Sequence, residues 1–174
     1  MKKAWLELKD KEEKLIWDRF YDRFQFKPSA SGDYPGILEP FPSLTYSIDD
    51  IYSERISSTE PVIYDEYNQD LQEKFLTIFK TLTAPDEWIY ALDWQHPCYK
   101  FYPHTPFEKD QFKEWPIPIL PNGDYFIFLE KDFKYGVFGH PWQGTMCIFG
   151  KPILNALENN MPNLFTKIVR DNRK

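Results

Sequence analysis

Up to residue 87 two stretches of this chain place their apolar positions at a helical period. Ile16, Trp17, Phe20, Tyr21 and Phe24 recur on one face, with Lys, Glu, Asp and Arg between them, which predicts an amphipathic first helix. Pro28, Ser29, Ser31 and Gly32 end it. Four prolines and two glycines between Pro28 and Pro42 then predict a structured loop, and Leu44, Tyr46 and Ile48 alternate as a short strand. After Pro61, Leu71, Phe75, Ile78, Phe79 and Leu82 form a second helical stripe, with Gln72, Glu73, Lys74 and Lys80 turned away from it; Thr83-Ala84-Pro85 closes the helix.

From Trp88 onward the period falls towards two. Trp88–Trp94 reads as a buried strand, and Cys98–Tyr102 as its partner across Gln95-His96-Pro97. The alternating prolines of Glu114–Pro121 suit an edge or polyproline-like run. Asn122-Gly123 is a turn signal, Asp124–Glu130 a strong strand, and Tyr135–His140 and Gly144–Phe149 continue as a meander. Gly150-Lys151-Pro152 opens a further helix. Leu164, Phe165, Ile168 and Val169 make one face of a turn or helix after Pro162. Contiguous strands with short connections and no βαβ alternation imply an α+β fold: an antiparallel meander sheet packed by N-terminal, central and C-terminal helices. Residues 1–174 read as one domain, with a helical and loop half at 1–87, a sheet-rich half at 88–150 and C-terminal helices at 151–174.

Charge narrows the classes of partner. The chain of 174 residues carries a net charge of −6, the wrong sign for neutralising a phosphate backbone, so no nucleic acid is expected. Ten acids against three bases lie between Asp49 and Glu87, so this stretch holds the acidic surplus. It reads either as a solvated acidic face or as a docking face for a basic protein, with Asp65, Glu66 and Asp70 at its centre. Charges interrupt the N-terminal segment too often for a signal peptide, and no apolar window is long enough for a membrane span. With two cysteines and no disulfide pattern, the expectation is a cytoplasmic protein with reduced thiols.

The aromatic content then locates the chemistry. Residues 88–149 hold 17 of the 32 Phe, Tyr and Trp residues, together with all three histidines and both cysteines. Asp93, His96, His104, Asp124 and His140 are candidates for acid–base catalysis, because imidazole beside carboxylate in an aromatic cleft suits proton transfer; each also reads as an ordinary turn or strand-end residue. His96, Cys98, His104 and His140 could supply zinc-type ligands, but their spacing is not that of a zinc site, so no metal and no cofactor is expected. Cys98 and Cys147 read as small core hydrophobes rather than nucleophiles. Trp115 and Trp142 beside prolines, with Tyr102, are candidates for an aromatic protein-binding surface. No P-loop or dinucleotide-binding glycine pattern is present.

Several segments carry a resemblance. They are Tyr90-Ala91-Leu92-Asp93-Trp94-Gln95-His96-x-Cys98-Tyr99, Pro118-Ile119-Leu120-Pro121-Asn122-Gly123-Asp124-Tyr125, Phe128-Leu129, Gly136-x-x-Gly139-His140-Pro141-Trp142 and Cys147-Ile148-Phe149-Gly150. With Trp17-x-x-Phe20, Phe26-x-Pro28-Ser29 and Pro42-Ser43-x-Thr45-Tyr46, the chain resembles a bacterial family known as domain of unknown function 2716. The resemblance implies a small bacterial cytoplasmic protein and supplies no activity, cofactor or catalytic residue. The leading expectation is a non-catalytic protein-binding module, of the immunity or antitoxin kind by analogy of size and charge alone. The rival is a small-molecule binder or acid–base hydrolase with an Asp/His aromatic pocket. The oligomeric state is not readable from the sequence.

Overall fold

A computed structural model of the chain describes residues 3–49, 51 and 62–174, with side chains from residue 66 onward in the last stretch. Among the described residues there are three helices: α1 (Asp10–Phe24), α2 (Val62–Leu82) and α3 (Lys151–Glu158). The strands are β1 (Trp5–Glu7), β2 (Ser43–Ser47), β3 (Ile89–Asp93), β4 (Tyr99–Phe101), β5 (Phe126–Leu129), β6 (Gly136–His140), β7 (Thr145–Phe149) and β8 (Ile168–Asn172). They form one sheet in the order β1-β4-β3-β5-β6-β7-β2-β8, with antiparallel neighbours throughout. The fold is α+β.

Both faces of the central strands are buried. Ile89 and Ala91, Phe126 and Phe128, and Met146 and Ile148 point to one face, where α2 supplies Leu71, Phe75 and Phe79 and α3 supplies Ile153 and Leu157. Their strand neighbours Tyr90, Leu92, Ile127, Leu129, Cys147 and Phe149 point to the other, against Ile16, Phe20 and Phe24 of α1. Successive strand side chains alternate between faces, so a strand covered on both sides must be apolar at every position. That is why Ile89–Leu92 and Phe126–Leu129 read as unbroken apolar runs. The aromatics concentrate in these two layers: Phe128 lies 5.6 Å from Phe79 on one face, and Phe138 lies 6.4 Å from Phe20 on the other.

Three expectations are corrected. The segment after Pro162 does not continue as a helix. Leu164 and Phe165 are buried in a turn, Phe165 stacking on Tyr46 at 4.3 Å, and Ile168–Asn172 then pairs with β2 as an edge strand that leaves Ile168 and Val169 exposed. The C-terminal part is therefore one helix and one strand. At the other edge, three residues of β1 pair with β4, too short a run to show a period. The proline-alternating segment is irregular and buries Trp115, Ile117, Ile119 and Leu120 against α2. Finally, Gln72 does not face solvent: it is buried, and its amide donates to the Lys113 carbonyl at 3.2 Å, binding α2 to that same segment.

Candidate functional site

The expected Asp/His constellation assembles in part, at the end of the sheet where β3 and β6 finish and β5 begins. Asp93, the last residue of β3, is in register with Phe126 of β5, which places Asp124 beside it. Gln95 takes a left-handed conformation (φ 72°) in the turn that follows, and that turn brings His96 back. His96 Nδ1 lies 3.0 Å from Asp93 Oδ1 and 3.5 Å from Asp124 Oδ2. The hydrogen bond to Asp93 and its charge raise the His96 pKa above the ordinary imidazole value. Burial raises both carboxyls, opposed by His96 and, at Asp124, by the Tyr125 backbone N–H that Oδ1 accepts at 2.7 Å. One ligand atom from each of the three lies within 4.8 Å of the others. The trio is chemically able to shuttle a proton or to contribute ligands to a divalent cation. It is also open: the His96 side chain is 60% exposed, and the trio lines none of the four cavities described.

His140 belongs to a different, closed arrangement. It is fully buried, its Nδ1 accepts the Gln143 backbone N–H at 3.1 Å, and its Nε2–H therefore donates to the Tyr34 carbonyl at 3.1 Å. Burial pulls its pKa down to about 4, so the ring is neutral. Tyr125 lies against it, ring centres 4.8 Å apart, donates to the Ser29 carbonyl at 2.8 Å and accepts the Ser29 N–H at 3.1 Å. These bonds hold the 28–36 loop flat on the Gly139-His140-Pro141-Trp142 turn. Gly36 has φ +79°, and a Cβ there would sit 3.1 Å from His140 Cδ2; a Cβ at Gly139 would sit 2.9 Å from Pro121 Cβ. The Gly-His-Pro-Trp sequence is thus a latch for a loop.

These are the segments that carry the resemblance, and comparison with known proteins decides the kinship. A family model described as protein of unknown function DUF2716 matches residues 7–154. The chain belongs to this family. A relative, the uncharacterised protein YxiI of Bacillus subtilis (strain 168), is 35% identical over 161 residues, covering 92% of this chain and 96% of that protein. No solved structure matches the chain.

The other expected site residues of this DUF2716 protein scatter. His104 donates to or accepts from nothing near His96: its Nε2 meets the Thr83 carbonyl at 2.9 Å, beyond the far end of β4, where Tyr102 also lies. The zinc set His96, Cys98, His104 and His140 is therefore not assembled. Cys98 donates weakly to the Asp93 and His96 carbonyls, and burial pushes both thiols, Cys98 and Cys147, up to about 12. Trp115, expected at a binding surface, is 2% exposed and is core, packed on Phe101 and Phe128. Trp142 is exposed at one face while its ring lies 5.1 Å from Tyr125. Asp70 accepts the Asn163 N–H at 2.7 Å and so ties α2 to the turn before β8; Glu66 is exposed. Asp50, Glu54, Arg55 and Glu60, with the side chain of Asp65, lie outside what is described.

Two features had no forerunner in the sequence. One is a polar cluster in which Glu39 Oε1 accepts from Thr45 at 2.7 Å and from Arg170 at 2.9 Å, while Arg170 also donates to Gln143 at 2.7 Å. The other is a cavity of about 600 Å³ between α3 and the β2–β8 pair, with Leu44, Leu154, Leu157, Met161 and Ile168 in its lining. Both depend on β8 being a strand; a helical reading of 164–169 hid them.

Proposed function

We propose that this protein is a non-catalytic binding protein that takes a small, largely apolar molecule in the cavity between α3 and the β2–β8 pair. The observation that carries this reading is the cavity itself. Its volume of about 600 Å³ falls in the range of ligand pockets, which are mostly apolar with a few placed polar groups. Its outer lining is exposed at Phe41, Met161 and Ile168, so a ligand has an entrance. Binding rather than chemistry is favoured by the protonated, buried thiols and by a His140 whose two ring nitrogens are both engaged. The test is titration of the native protein with the neutral fluorophore Nile red. Saturable, blue-shifted binding is expected, and it should weaken in Ile168→Trp and Met161→Trp, which fill the cavity from exposed positions. No saturable binding, or binding indifferent to both substitutions, would overturn the reading.

A second reading has its own observation, the 3.0 and 3.5 Å approach of His96 to Asp93 and Asp124. An acid–base role there requires a substrate to cover an open site. A partner-binding role of the immunity kind retains Trp142 and Glu66 as described exposed candidates. A pull-down with charge reversal at Glu66 and substitution of Trp142 tests it; capture unaffected by both excludes that surface.

A further inference from the structure

The trio of Asp93, His96 and Asp124 carries more negative charge than its own members balance. The two carboxylate side chains are mostly withdrawn from water, 16% and 18% exposed. Among the described residues His96 is the one cationic partner of either, and no Lys or Arg charge acts on them. One imidazole thus serves two carboxylates, and the charge of Asp124 opposes ionisation of Asp93. Like charges held close and partly desolvated favour a bound cation that carries more than one charge.

The spacing of the donor atoms fits such a cation. Zinc-type bonds to imidazole nitrogen and carboxylate oxygen are about 2.1 Å long, so two donors at about 90–109° on one ion stand about 3.0–3.4 Å apart. His96 Nδ1 lies 3.0 Å from Asp93 Oδ1 and 3.5 Å from Asp124 Oδ2. The two oxygens are within 4.8 Å of each other. An ion can therefore replace the proton on Nδ1, with the ring proton on Nε2. The donors are also held from outside the trio. Trp94 N–H donates to the Tyr125 carbonyl at 3.2 Å, which ties the turn after β3 to the residue after Asp124. Cys98 Sγ donates to the Asp93 and His96 carbonyls at 3.6 and 3.5 Å and closes that turn. Asp124 Oδ1 is taken by the Tyr125 N–H, which leaves Oδ2 towards His96. Support of this kind orients ligands before an ion arrives. One nitrogen and two oxygens suit Zn²⁺ and its transition-metal neighbours, whereas Ca²⁺ and Mg²⁺ take oxygen alone.

We propose that Asp93 Oδ1, His96 Nδ1 and Asp124 Oδ2 bind one divalent transition-metal ion of the zinc class, with water completing its coordination on the open side. None of the three residues lines the cavity between α3 and the β2–β8 pair, so this site stands or falls separately from the cavity-binding reading. The experiment is calorimetric titration of the untagged, chelator-stripped full chain with zinc chloride. The visible spectrum of added Co²⁺ and imidazole ¹⁵N NMR locate the ion. One equivalent of Zn²⁺ should bind, Co²⁺ should gain a protein-dependent band, and the ring nitrogens of His96 should shift while those of His104 and His140 do not. His96→Ala and Asp93→Asn should each weaken Zn²⁺ by about a hundredfold, the upper end of the loss seen when a residue supporting a ligand is removed. The His96 side chain is 60% exposed, so its replacement retains the fold. Absence of stoichiometric Zn²⁺ binding, unchanged affinity in His96→Ala, or shifts at His104 or His140 in place of His96 would each overturn the proposal. Ca²⁺ binding as tightly as Zn²⁺ would overturn it too, by reducing the trio to an acidic patch.

Discussion

His140 and His96 sit at the same end of the sheet and respond to acid in opposite directions. The folded pKa of His140 is depressed to about 4, below the unfolded value near 6.5. Its contribution to stability is therefore present above pH 6.5 and lost as pH falls through 6 and 5 towards 4. The full shift corresponds to about 3 kcal/mol. Urea unfolding at pH 7 and pH 4 should show the wild type losing about 3 kcal/mol more than His140→Gln over that interval. His96 has a raised folded pKa, so its contribution is complete below the unfolded value and fades as pH rises through the folded one. With the side chain largely in water the effect on stability is small, and NMR titration is the better measurement. Asp93→Asn should lower the His96 pKa. Asp93, Trp94 and His96 were legible as a chemical patch because they are adjacent in sequence. That His96 faces solvent while His140 is sealed was not, since burial depends on the 28–36 loop lying over one and not the other.

At the level of elements, β8 is the part that periodicity misassigned. Leu164, Phe165, Ile168 and Val169 have helical spacing, but only the first two are buried. What draws 168–172 into the sheet is the open edge of β2 and the carboxylate of Glu39. Besides Thr45 and Arg170, Glu39 reaches Asn172, whose amide donates to Oε2 at 3.3 Å, and the Glu39 side chain is 6% exposed. Removing it takes one acceptor each from Arg170, Asn172 and Thr45, and leaves Arg170 only Gln143 and Asn172 only Ser43. Glu39→Ala should cost about 3 kcal/mol, and amide exchange should accelerate at Ile168–Asn172 ahead of the central strands. Trp115 gives a contrasting case. As core it should behave like a cavity-forming deletion, with Trp115→Ala losing about 3–5 kcal/mol in chemical unfolding, and with no selective effect on any binding surface. Proline alternation correctly excluded a central strand at 114–121, but it carries no information about which apolar side chains the irregular chain buries.

Across the whole molecule, two thiols lie within the layers on the α1 side of the sheet, Cys98 and Cys147 both buried. Neither should react with a thiol reagent in the native protein at neutral pH, and both should react on global unfolding; labelling of either under native conditions would mean that this layer opens locally. No helix among the described residues is long and apolar enough to cross a membrane, which agrees with the absence of an apolar window in the sequence. The sequence alone determined the α+β class, the two helical stripes, the central strands and the kinship, because side-chain period and local motifs are written in consecutive residues. Tertiary structure decided the strand order, the strand at 168–172, the latch formed by Gly-His-Pro-Trp and the cavity beside α3. Those depend on which distant segment satisfies an exposed strand edge or a buried polar group, and residues 39 and 170, or 46 and 173, are brought together only when the sheet has closed around them.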